Sequence, residues 1–233
     1  MTSFWIPKHL DLRIAAEVKN FQKSPVKKAL PFITVSRSYG CDGMGLAQKL
    51  VDELNRIDSG WYLFSRNMLT GNGGVQLSPE RLEQLEQYGH SEFHSYIREA
   101  LFGMPNQRET VEKLGEITCL LAQGGKVVFL GGGGALFTRS LENGVHVRYD
   151  ASLEWRVQNH IKNWTDKATQ QYGNIHQKVL SENSDRESFI KTYLGENISS
   201  SEHYDLIFNN QRIDVIQATS LIIALLKARG YLS

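Results

Sequence analysis

The residue types best suited to chemistry gather in one loop, Ser36-Arg37-Ser38-Tyr39-Gly40-Cys41-Asp42-Gly43-Met44-Gly45. Backbone N–H groups in a glycine-rich bend, beside the positive end of a helix dipole, hold an anion such as phosphate without requiring any particular side chain. Arg37 and Asp42 add a cation and a carboxylate to that bend. Two familiar spacings are absent. In an ungapped alignment to G-x-x-x-x-G-K-[ST], the first Gly, second Gly, Lys and Ser/Thr fall on Arg37, Asp42, Gly43 and Met44, and Gly40, Gly43 and Gly45 run in the reverse of the dinucleotide-binding order. From its residues alone the loop is a phosphate cradle or a tight structural turn.

Other groups carry weaker signals. Arg156 and Arg186 are suited to phosphate because a planar guanidinium can bind two oxygens at once, and both also suit a solvated helix surface. Gly131 to Gly134 imply close approach of the backbone to a ligand or to a neighbouring helix. His90 and His94 stand four apart without H-E-x-x-H and without an evident third ligand, so they read as a surface pair. Phe93, Tyr96 and Phe102 have the spacing of helix packing. Cys41 and Cys119 lack ligand-like spacing and read as free thiols, a single bridge being the alternative.

The elements that must position these groups follow from hydrophobic periodicity. Phe32 to Ser36 is a β-branched strand, followed by the glycine turn and then by Leu46, Leu50, Val51 and Leu54 at helical spacing. Further strands are expected at Lys126–Leu130, Val145–Tyr149 and Tyr204–Phe208, with helices after them at Ala135–Ser140, Leu153–Trp164 and Ile213–Arg229. Strands apolar at consecutive positions alternating with helices predict an α/β fold, a parallel sheet covered on both faces. Residues 64–125 form a polar, helix-rich insertion in which Ser78 caps a helix opened by Pro79, and residues 163–203 form a second insertion with the character of a lid. Residues 1–30, with Leu10, Ile14, Val18 and Phe21 at helical spacing, are expected to be a helical extension that packs on the domain or on a second subunit of a homodimer.

Composition narrows the class. With 233 residues, 41% hydrophobic and 22% charged, the chain is long enough for one large domain and too apolar for disorder. A net charge of +1 supplies no global field for nucleic acid or anionic lipid, so neither is expected as a partner and any phosphate-binding charge must be local. The first ten residues do not read as a secretory leader, and the apolar run Leu221–Leu226 falls far short of the roughly 20 residues of a membrane span. The expectation is a soluble cytoplasmic protein.

Several segments resemble the cytidylate kinase-like family, a divergent branch of the phosphate-loop nucleoside monophosphate kinases. They are Ile33-Thr34-Val35-Ser36-Arg37-Ser38-Tyr39-Gly40-Cys41-Asp42-Gly43, Val127 to Ala135, Asp150-Ala151-Ser152-Leu153-Glu154-Trp155-Arg156, Ser184-Asp185-Arg186 and Tyr204-Asp205-Leu206-Ile207-Phe208-Asn209. The resemblance spans about Pro31 to Ser233 and implies a three-layer, phosphate-loop nucleotide kinase-like domain over residues 31–233, with acceptor-side insertion 64–125 and lid 163–203. It implies an ATP-dependent phosphotransferase acting on a nucleotide or another small phosphorylated acceptor. In that scheme Arg37, Arg156 and Arg186 are catalytic, while Ser38, Tyr39, Gly40, Cys41, Asp42, Gly43, Met44 and Gly45 cradle ATP. Asn210 and Arg212 lie at the adenine, and Asp42 serves Mg²⁺, with Asp150 as the weaker choice. Three departures favour the alternative of a nucleotide-binding regulator or scaffold that has lost transfer. The loop lysine is missing, Gly132 stands where the family has arginine, and Ser65 stands where it has aspartate.

Overall fold

The computed structural model describes residues 29–65, 107–164 and 172–233. The N-terminal extension up to residue 28, the Ser78–Pro79 helix start, the His90/His94 pair and the Phe93, Tyr96 and Phe102 cluster lie outside them. The chain runs β1 (Phe32–Arg37), α1 (Gly43–Ile57), β2 (Tyr62–Ser65), α2 (Gln107–Gly124), β3 (Val127–Leu130), α3 (Gly134–Phe137), β4 (Gly144–Asp150), α4 (Leu153–Trp164), α5 (Tyr172–Leu194), a 3-10 turn at Ser201–His203, β5 (Leu206–Asn209) and α6 (Val215–Ala228).

The strands form one five-stranded sheet in the order β2-β3-β1-β4-β5, with every pair parallel. Because Cβ atoms alternate across a strand, β1 feeds two separate cores. Ile33 and Val35 share one core with Val128, Leu130, Val145, Val147 and the helices α1 and α6, whereas Phe32 joins Phe64, Val127, Phe129 and α2 on the other face. Both faces are therefore covered, and the fold has the three layers expected.

Helix α1 forms because Leu46, Leu50 and Leu54 recur one turn apart with Ala47 and Val51 on the same face, and all five are buried. Asp42 caps its start by accepting from the Gly45 amide at 2.9 Å. The chain leaves it through Gly60, whose φ of +99° suits glycine, while Asn55 Oδ1 accepts from the amides of Gly60 and Trp61.

Some boundaries differ from expectation. Phe64 and Ser65 belong to the edge strand β2, and the end of the expected insertion is α2, whose Leu114, Ile117 and Leu121 are core residues. The last strand begins at Leu206, because Asp205 instead receives the His146 amide on its carboxylate at 2.7 Å. The expected helix at Ala135–Ser140 is the single turn α3, ended where the Thr138 hydroxyl bonds back to the Gly134 carbonyl at 2.8 Å. The lid-like stretch contains the 23-residue α5, which is anchored to α4 by Ile175 and Val179 packed on Val157.

Candidate functional site

Parallel strands end together, and here the carboxyl ends of β1 to β4 converge: Ser65 pairs with Leu130, Val35 with Leu130, and Arg37 with Tyr149. In open α/β sheets the crevice beyond those ends is where ligands bind. It is a cleft of about 450 Å³ lined from the sheet by Ser36, Arg37, Ser65 and Arg148, from the turn after β3 by Gly131 to Gly133, and from α5 by Arg186.

The glycine loop borders this cleft, and most of its amides are already engaged. Tyr39 donates to Asn183 Oδ1 at 3.0 Å, Asp42 to Asn210 Oδ1 at 2.8 Å and Gly45 to the Asp42 carboxylate at 2.9 Å. Cys41 and Gly43 donate within the loop, to the carbonyls of Ser38 and Cys41, and Ser38 donates to the Tyr149 carbonyl. The carboxylate of Asp42 thus sits at the helix N-terminus where a phosphate would be received. Gly40 takes φ +95° beneath α4, where a Cβ would come within 2.7 Å of the Arg156 carbonyl.

The expected site residues separate into two groups. Arg156 is part of the scaffold of the loop: its Nε donates to the Ala151 carbonyl at 3.1 Å and its Nη1 to the Tyr39 carbonyl at 3.0 Å. Asn210 is buried and latches the Asp42 amide, and Arg212 is exposed on the turn after β5. Neither Arg156, Asn210 nor Arg212 lines the cleft, whereas Arg37, Met44 and Arg186 do.

Arg37 follows a long path. Its Cγ and Cδ run over Gly43, where a Cβ would stand 2.9 Å from both, and its Nη1 reaches the space a Cβ of Gly131 would fill. Gly131, Gly132 and Gly133 all adopt positive φ, which keeps side chains out of this turn. No acceptor among the described residues meets the Arg37 guanidinium. Burial, with the like charge of Arg186 second, lowers its pKa to about 10. Arg186 stacks over the Tyr39 ring at 4.7 Å, and burial lowers its pKa as well.

Arg148 is a site residue that the sequence reading passed over. Only 4% exposed, it joins Asp150 at 3.2 Å, Ser38 Oγ at 3.0 Å, Ser199 Oγ at 3.2 Å and the Ile198 carbonyl at 3.2 Å, tying the loop to the segment before β5. The available signal was an arginine inside the apolar run Val145-His146-Val147-Arg148-Tyr149, a position that requires burial and therefore partners. Asn159 and Asn183, which hold the Gly40 carbonyl and the Tyr39 amide, carried no comparable signal.

The two carboxylates expected to serve a metal are already engaged. Asp42 is folded onto Gly45, Asp150 is paired with Arg148 and accepts from the Ala151 amide, and the described residues contain no group of three metal-ligating side chains. Both thiols are free and buried, and burial pushes each pKa up to about 12, so neither is a ready nucleophile. No helix among the described residues is long and apolar enough to cross a membrane.

Comparison with known proteins agrees with this architecture. An uncharacterized protein from Eubacterium ventriosum superposes with a TM-score of 0.59 at 16% identity, covering 86% of this chain and 99% of its own. Shikimate kinase from Bacteroides thetaiotaomicron aligns at 14% identity and a TM-score of 0.43, covering 84% and 98%. No curated protein matches the chain. The model of the cytidylate kinase-like family matches residues 32–212, from the start of β1 to the turn after β5, so the cleft and its loop lie inside the match and the chain belongs to the cytidylate kinase-like family.

Proposed function

We propose that the chain is an ATP-dependent phosphotransferase acting on a nucleotide or another small phosphorylated acceptor, with the cleft beyond β1–β4 as its site. The observation that carries the reading is Arg37, a partly buried cation that meets no acceptor among the described residues, at the floor of a cleft lined also by Arg148 and Arg186. A buried charge lacking a partner is costly, and a phosphate oxyanion is the partner that suits a guanidinium fork. Membership of the cytidylate kinase-like family supports a nucleotide kinase-like activity at that level.

In phosphoryl transfer the acceptor oxygen forms a bond to the γ-phosphorus as the bond to the bridging oxygen of ADP breaks, and the acceptor proton leaves to solvent. Such a reaction asks the protein mainly for alignment and for positive charge around the moving phosphoryl group. Arg37 and Arg186 would supply that charge, Arg148 and Arg156 would hold the loop in place, and α5 would exclude water. The loop from Ser38 to Gly45 would receive the donor phosphates once Asn183 and Asp42 release their amides, with Asn210 and Arg212 on the nucleoside side. Mg²⁺ does not fit Asp42 or Asp150 as they stand, so no step is drawn through it.

A second reading, nucleotide binding without transfer, draws support from the loop amides that Asp42, Asn183 and Asn210 already satisfy. Turnover separates the two. A thermal-shift titration with Mg²⁺-ATP is expected to stabilise the protein, and ADP formation that depends on an added acceptor from a nucleotide panel supports the enzyme. Saturable ATP binding with no transfer across the panel supports the second reading, and no shift with Mg²⁺-ATP overturns both.

A further inference from the structure

We infer that Arg37, Arg186 and the glycine turn after β3 form a phosphate-monoester site of their own, separate from the loop amides, which receives the terminal phosphate of a small phosphorylated molecule. The inference deepens the proposed function by assigning Arg37 to the acceptor instead of the ATP tail, and in that respect rests on it.

Arg37 leaves the end of β1 beside the loop, yet its stem crosses Gly43 and its Nη1 arrives at Gly131, so the charge is delivered to the β3–α3 turn and not back to the amides of Tyr39 to Gly45. Two glycines keep that path open, since a Cβ at Gly43 would meet the stem and one at Gly131 would displace the tip. Negative charge is already provided at the loop by Asp42 on Gly45. At the glycine turn no described residue provides any: the guanidinium of Arg37 is partly buried and meets no acceptor among the described residues. The second cation is held in reserve by stacking, because Arg186 spends the face of its guanidinium on Tyr39 while its N–H edge meets no acceptor among the described residues.

The surroundings agree with a phosphate in this place. Ser36 and Ser65, both nearly buried, line the cleft floor beside Arg37 and bring hydroxyl groups. Glycine at 131, 132 and 133 lets a tetrahedral oxyanion approach the backbone without meeting a side chain. The acids that line the cleft come from α5, and Asp185 and Glu187 are exposed at its rim where water screens them, while Glu187 also accepts from Asn183. Glu182 lies nearer, close enough to Arg186 to favour its charged form, so Arg37 remains the cleft cation without a counter-charge among the described residues.

The test uses the full chain and inorganic phosphate as the probe, followed by calorimetry or by ³¹P line broadening. Saturable binding is expected, weakened at least about tenfold in Arg37→Met, which keeps the stem and removes a fork that binds two oxygens, and weakened less in Arg37→Lys. Gly131→Ala should match Arg37→Met, because its methyl group occupies the place of Nη1. Lys191→Ala, the loss of an exposed charge on the same helix as Arg186, should leave the affinity within about twofold, as expected of a screened surface charge. Should Gly131→Ala not fold, the Arg37→Lys and Arg37→Met pair decides alone. Phosphate that fails to saturate on the parent protein, or binds Arg37→Met as well as the parent, overturns the inference. The parent reading fails differently: Arg37-dependent phosphate binding without any response to Mg²⁺-ATP leaves the site standing and removes the phosphotransferase, whereas acceptor-dependent ADP formation with phosphate affinity indifferent to Arg37 does the reverse.

Discussion

Arg37 stores unfavourable free energy in the unliganded protein. Its pKa falls from the ordinary arginine value to about 10, so the folded state binds fewer protons than the unfolded state between those values. The penalty is therefore present in full below pH 10 and is relieved as pH rises through that window. At neutral pH it amounts to about 1–3 kcal/mol after allowance for solvent relaxation. Replacing the cation by an apolar side chain of similar length removes it, and Arg37→Met is expected to raise the urea midpoint of the ligand-free protein while abolishing stabilisation by phosphate. A variant less stable than the parent without ligand would show that the guanidinium has a counter-charge after all. Arg148, more fully buried than Arg37, differs because Asp150 and two serine hydroxyls meet it, and its removal should destabilise.

Among the elements, α5 decides the state of the loop. Asn183 and Arg186 lie three residues apart, so one helix face brings an acceptor to the Tyr39 amide and a cation to the Tyr39 ring. Tyr39→Ala removes the cation–π contact, worth about 0.5–2 kcal/mol, and should speed amide hydrogen exchange through α5 while leaving α1 protected. Unchanged exchange in α5 would mean that its anchoring to α4 alone fixes it. This docking was not legible in the sequence, because Ile175, Val179 and Ile190 are sparse apolar points in a long polar helix and give little periodic signal. The β1-loop-α1 unit was legible, since Phe32 to Val35 and Leu46, Leu50 and Leu54 show their periods within short windows. Strand β2 was missed because four residues are too few to display alternation. The cleft arginines divide in the same way: Arg37 stood out beside the glycines, while Arg148 was hidden in a strand whose burial only the assembled sheet reveals.

At the scale of the molecule, the cleft depends on a sheet held between two cores. Leu50 is fully buried where α1 lies on the sheet, and Leu50→Ala should cost about 2–5 kcal/mol of stability in urea unfolding. A loss of less than 1 kcal/mol would mean that the layer collapses to fill the space. Because β1 lies between β3 and β4, such loosening should reach Arg37 and the glycine turn together, and phosphate affinity should fall along with stability.

The crossing of Arg37 over Gly43 also bears on how this loop could be rebuilt. Any Cβ at Gly43 meets the Arg37 stem at 2.9 Å, so a side chain on that residue and a long cation at residue 37 are mutually exclusive tenants of one corridor. An engineer who wished to place a side chain on this turn would have to shorten residue 37 in the same step, and a lineage drifting between the two arrangements would have to pass through an intermediate lacking both.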